Sequence, residues 1–262
     1  MFARKRQPGP IRFLITCVAR TGSTMLVHSL RYHDDVCCHG EVFGPGSQAM
    51  LFGIKAGDKP PWVETLTALR DADPVAFLRD FVFCAGSRAA VGVKLKHEEL
   101  QLPQHKEVRG ALVEDRDVRV LHLTRDNLLK RFVSQVMAVK VNKIFNTTSR
   151  KEVPPLRTIQ LSPRECREDF EHTASREAEV RQWFAGHPIL ELKYEHMVAD
   201  YAGEMARVQN FLGVPIRGLE TKTQKMTSDD LWKVIENYEE LSRHFRGTPF
   251  AKFFDAAEKQ AA

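Results

Sequence analysis

The segment that most constrains this chain is Ile11 to Leu30, IRFLITCVARTGSTMLVHSL. Ile11 to Val18 is an apolar and β-branched run with one arginine, the composition of a strand buried on both faces. From Thr24 to Tyr32 the period becomes helical, with Met25, Leu26, Ser29 and Leu30 on one side. Little more than Arg20-Thr21-Gly22-Ser23-Thr24 separates the two. Such a turn exposes the first amides of a helix, where the helix dipole adds positive potential. Gly22 permits the turn, Arg20 adds a fixed charge, and Ser23 and Thr24 add hydroxyls. The segment therefore reads as an anion-binding loop, and otherwise as a strand–turn–helix with Ser/Thr capping.

Three later runs repeat the strand composition: Val91 to Leu95, Val118 to Leu123 and Ile189 to Leu192. Helical stretches lie at Pro74 to Cys84, 127–140, 162–184 and 195–212. Strands alternating with helices predict an α/β fold whose parallel sheet is covered on both faces. A basic arm over 1–10 precedes a single domain over 11–254 with helical additions, and a flexible tail occupies 255–262. The Gly- and Pro-rich stretch 44–62 reads as a lid, and 140–160 as an irregular insertion beside the site. Ser228 to Phe254 reads as helices.

Charge narrows the partners. Lys and Arg number 39 against 34 Asp and Glu in 262 residues, a surplus of +5 that a small phosphorylated ligand explains as well as nucleic acid. Basic stretches at 4–6 and 140–151 lack aromatic interleaving and any helix-turn-helix pattern, so no nucleic-acid partner is expected. No apolar run approaches a membrane span, and Phe13 to Ala19 is too short for a signal peptide, so a cytoplasmic chain is expected. The five cysteines (Cys17, Cys37, Cys38, Cys84, Cys166) form no CxxC pair and suit reduced thiols. Cys37-Cys38-His39, with His33 and Asp35 nearby, lacks the spacing of a zinc site, and no metal is expected.

The loop is not a Walker A sequence, because no lysine precedes Ser23-Thr24 and no acidic residue ends the later strands. Three more segments follow it in order. Val118 to Ser134 (VRVLHLTRDNLLKRFVS) is a strand ending in Arg-Asp before a helix with a serine. Leu190 to Asp200 reads LELKYEHMVAD, and Phe211 to Leu241 holds FLGVP and then TKTQKMTSDDLWKVIENYEEL. On these four segments, spread over residues 11 to 245, the chain resembles the sulfotransferases that use 3′-phosphoadenosine 5′-phosphosulfate (PAPS). It is most similar to the bacterial carbohydrate and lipooligosaccharide type, which includes the trehalose and nodulation-factor sulfotransferases.

The resemblance implies a P-loop-like three-layer α/β/α fold. It implies that Arg20, Thr21, Gly22, Ser23 and Thr24 hold the 5′-phosphosulfate, and that Arg125 and Ser134 hold the 3′-phosphate. The spacing of nine residues between those two departs from the eight of many members. Lys225, with Lys222, is implied to face the same phosphate, although both also suit a solvated surface. Glu41 matches the general base, with Phe43 beyond it on the acceptor side; His39 is the alternative base. Lys94 in the GVKLK strand is expected to face the transferred group or the acceptor, while Tyr194 and Glu195 are expected to be architectural. The implied reaction moves a sulfuryl group from PAPS to a hydroxyl of a carbohydrate, lipid or secondary metabolite. It releases adenosine 3′,5′-bisphosphate (PAP) without a metal, and a homodimer stays open. Two alternatives are a P-loop kinase of small molecules and a non-catalytic nucleotide-binding interaction module.

Overall fold

Five parallel strands in the order β2-β3-β1-β4-β5 carry the molecule. They are β1 (Ile11–Cys17), β2 (Val36–Cys38), β3 (Ala90–Lys96), β4 (Arg119–Thr124) and β5 (Ile189–Lys193). The computed structural model describes residues 9–46 and 60–254. Residues 1–8 of the arm, 47–59 of the lid and the tail 255–262 lie outside the described residues.

Alternation along β1 divides the core. Phe13, Ile15 and Cys17 face α1 (Ser23–Arg31), α8 (Tyr194–Ala199) and α9 (Tyr201–Leu212). Leu14 faces the other layer, with α2 (Trp62–Ala72), α4 (His97–Gln101), α5 (Lys106–Glu114) and α7 (Pro163–Trp183). The result is the three-layer α/β/α fold. A third cluster joins α6 (Leu128–Val136) and α7 to α10 (Tyr238–Phe245) through Phe132, Phe170 and Phe245. β1 and β3 approach so closely that a Cβ on Gly92 would lie 2.3 Å from the Phe13 carbonyl oxygen. Register pairs Cys17 with Lys96 and with Leu123, so three strands end together. Their carboxyl edge is where parallel sheets gather ligands.

The four expected strands are all present, and the differences lie in short or broken elements. β2 has only three residues and pairs on one side only, with β3, which leaves little pattern to read. Pro74 to Cys84 forms α3 (Pro74–Ala76) and then a π-helical stretch, Phe77–Val82. The stretch 195–212 is two helices, because the Asp200 carboxylate accepts from the Gly203 amide at 2.9 Å and starts α9 afresh. Ser228 to Phe254 holds α10 with short 3₁₀ turns at Leu231–Lys233 and Ala251–Phe253. Among the described residues no helix is long and apolar enough to cross a membrane.

Candidate functional site

The turn after β1 is held in a shape that few residues adopt. Arg20 has φ +73° and Gly22 has φ +87°, both left-handed. For Arg20 this costs about 1–2 kcal/mol. Two buried arginines stabilise the turn by taking its carbonyls. Arg131 Nη1 donates to Ala19 O at 3.2 Å, and Arg125 Nη1 donates to Arg20 O at 3.3 Å. Arg131 is anchored in turn by Asp169 on α7. With those carbonyls engaged, Gly22, Ser23 and Thr24 line a cavity of about 660 Å³ at the first turn of α1. The earliest amides of a helix have no carbonyl one turn back and are natural anion donors. Thr21 differs: it is buried, its hydroxyl donates to Val18 O at 2.9 Å, and it braces the turn from inside, away from the cavity lining.

Arg20 lines the same cavity, donating from Nε to Ser134 Oγ at 3.1 Å and from Nη1 to Phe145 O. Burial, then the charges of Arg125 and Arg131, push its pKa down, the mark of cations crowded together. Arg125 directly follows β4, with its guanidinium 4.5 Å from the centre of the Tyr194 ring. Tyr194 also approaches the loop so closely that a Cβ on Gly22 would sit 2.6 Å from its Cδ2. Thus Tyr194, the first residue after β5, packs between the two anion seats and lines the cavity itself. Glu195 accepts from the Asp126 and Asn127 amides at 2.9 and 3.3 Å and fixes the turn into α6. The α6 cap is Asn127, which accepts from the Lys130 amide at 2.9 Å.

A carboxylate stands at the same cavity. Glu41 Oε1 lies 2.6 Å from Lys94 Nζ, and Oε2 lies 2.7 Å from Lys96 Nζ. Glu99 holds Lys96 from behind, at 3.0 Å. Burial alone would raise the Glu41 pKa, but Lys94 and Lys96 outweigh it and hold the carboxyl down to about 2. Burial opposes the charge on Lys96, yet Glu99 and Glu41 prevail and raise its pKa.

The structure therefore brings together Arg20, Gly22, Ser23, Thr24, Glu41, Lys94, Arg125, Ser134 and Lys225 around one cavity. It sets the others apart from that lining. The His39 ring packs 5.6 Å from Phe81, with Nε2 3.5 Å from Cys37 Sγ, and burial followed by Arg31 pushes its pKa down to about 4. Phe43 is core, edge-on to Phe77 and His105. Lys222 reaches the Tyr32 ring, 5.8 Å from its centre. Sequence reasoning missed Lys96, Lys130 and the place of Tyr194 at the cavity. Two of these had a signal: Lys96 is two residues from Lys94 on one strand face, and Lys130 is four before Ser134 on one helix face.

Known proteins share the sequence of this chain over most of its length. The model of the Sulfotransferase family matches residues 12–218. Nodulation protein H of Rhizobium tropici is 25% identical over 256 residues, covering 97% of this chain and 97% of that protein. Nodulation protein H of Rhizobium meliloti (strain 1021) is 25% identical over 250 residues, covering 95% and 96%. Among solved structures, the sulfotransferase from Alicyclobacillus acidocaldarius superposes with a TM-score of 0.49 at 19% identity, covering 95% of this chain and 96% of that one.

Proposed function

Because the chain belongs to the sulfotransferase family, an enzyme class that transfers sulfate to an acceptor, we propose that its donor is PAPS and its acceptor a hydroxyl. The observation that carries this reading is the pair of cationic seats in one cavity, at Arg20 to Thr24 and at Arg125 with Ser134 and Lys225. A nucleotide with anionic groups at both its 5′ and 3′ positions matches such a pair. Glu41 supplies the third requirement, a proton acceptor.

The acceptor oxygen attacks sulfur while its proton passes to Glu41. The bond from sulfur to the bridging oxygen breaks, and that electron pair stays on the 5′-phosphate of PAP. Arg20 and the amides of Ser23 and Thr24 stabilise the charge that grows there. Lys94 and Lys96 neutralise the region through which the sulfuryl group passes. As base, Glu41 gives up one lysine contact, an exchange favoured when Lys94 turns to the anionic donor. His39 lies off the cavity lining, which supports Glu41 over it. A sugar hydroxyl is the favoured acceptor, in line with the bacterial carbohydrate type, and lipid or secondary-metabolite hydroxyls follow. A single cytoplasmic domain over 11–254 is part of this reading, on the ground that the five cysteines form no CxxC pair; burial pushes the Cys38 and Cys166 thiols up to about 12.

The test is an acceptor screen with isotopically labelled PAPS, read by mass spectrometry for a sulfate-sized gain and for PAP. Transfer of phosphate from ATP with Mg²⁺, and no sulfated product from PAPS, would replace this reading with a kinase.

A further inference from the structure

A carboxylate already bridges two cations that line the cavity beside Arg125 and Ser134. Asp229 Oδ1 lies 3.5 Å from Lys130 Nζ, and Oδ2 accepts from Lys225 Nζ. Both lysines line the cavity with Arg125 and Ser134. Lys130 lies in the first turn of α6, one turn before Ser134, and shares its helix face. The charge of Asp229 is also felt at Arg125. Three chain segments thus direct cations at one region: the end of β4, the start of α6 and the loop before the Leu231–Lys233 turn.

An independent observation concerns Arg125, which is 9% exposed. Its Nε is buried and makes no hydrogen bond among the described residues, and the nearby Glu195 oxygen is 3.8 Å away. A buried charged donor without an acceptor is costly unless a ligand supplies one.

We propose that Asp229 is a displaceable stand-in for the 3′-phosphate of the nucleotide, and that Lys130 is a ligand of that phosphate. A carboxylate with one charge and two oxygens pairs with Lys130 and Lys225 and does not reach Arg125. A phosphate dianion with three terminal oxygens can serve all three cations and Ser134. On binding, both lysines exchange Asp229 for phosphate. The Asp229 side chain is 58% exposed and turns to solvent, so little opposes the exchange. Asp229 is therefore a built-in competitor that weakens binding of the 3′-phosphate and leaves a nucleotide without that group unaffected.

This inference rests on the PAPS reading, and calorimetry with PAP and AMP separates the two. The full chain is titrated as wild type, Asp229→Asn, Lys130→Met and the double variant, each checked by thermal melting. Asp229→Asn is expected to tighten PAP about two- to fivefold, as loss of an exposed ion pair allows, and to leave AMP within about twofold. The gain shrinks at high salt. Lys130→Met weakens PAP about tenfold and spares AMP, and in that background Asp229→Asn gains less. Unchanged or weaker PAP binding by Asp229→Asn overturns the stand-in role, since Asp229 would then only orient the lysines. Equal loss of PAP and AMP in Lys130→Met overturns the assignment of Lys130. A wild type that binds PAP no better than AMP overturns the nucleotide reading itself.

Discussion

Glu41 illustrates how little a single residue reveals of its state. The family resemblance implies a base at Glu41, but its partners come from β3, some fifty residues on, where strand alternation sets Lys94 and Lys96 on one face. Lys94 was legible as a candidate, and Lys96 only by its place two residues on along the same strand face; that the two share an acid was not legible. Glu41→Gln keeps the shape and removes the proton acceptor, so turnover falls by about 10² to 10⁴ with no loss of PAP affinity. Steady-state kinetics with PAP calorimetry checks both halves. In Lys96→Met the carboxylate loses one of the two charges that hold its pKa near 2. A general base is active when ionised, so the acid limb of the pH–rate profile moves to higher pH in that variant. An unmoved limb would mean that Glu41 does not govern it.

Among elements, the strand–turn–helix over 11–31 was the most legible, because an abrupt change of period around one glycine admits few structures. Its bracing was not legible. Arg131 and Tyr194 reach the turn from α6 and α8, and a sequence window around Gly22 contains neither. The helices over 97–114 were missed for another reason: α4 has five residues, and α5 begins after the Pro103–His105 turn. Gly22 meets two demands at once, a left-handed φ and the face of Tyr194. Gly22→Ala therefore loses at least about 1 kcal/mol of stability by denaturant unfolding, and weakens PAP through the displaced amides. Full stability in that variant would show that the loop and Tyr194 relax freely.

At the scale of the molecule, the parallel sheet was legible from four apolar runs, whereas its edge strand β2 was too short to register. Stability should depend on pH through Glu177 on α7, whose carboxyl is pushed up to about 7, chiefly by burial. Its folded pKa lies above the unfolded value. The folded protein thus binds the extra proton, and stability falls as pH rises from about 4.5 through 7. Glu177→Gln removes that loss. Its advantage in melting temperature should be small at pH 5 and larger at pH 8, and an equal advantage at both would refute the burial argument.

The arginines around the first turn carry a further consequence. Arg20 sits in a left-handed conformation that an L-residue resists, and burial and the neighbouring Arg125 work against its charge. The local sequence and the global fold are in conflict there, a frustration that an anion bound as proposed would relieve. Under the proposed function, selection for a stable scaffold and selection for nucleotide capture would pull this one position in opposite directions. Arg20→Gly accepts the backbone angle and removes the repelled charge. It should melt higher than the wild type alone, yet gain less from PAP at the same concentration, while the wild type at a hundred times its Kd gains about 2.7 kcal/mol. Thermal melts with and without PAP would register both effects, and a glycine variant that melts lower would place the strain elsewhere. A survey of substitutions ranked by thermostability alone would thus select, at residue 20, for a molecule that has exchanged affinity for its proposed nucleotide for stability.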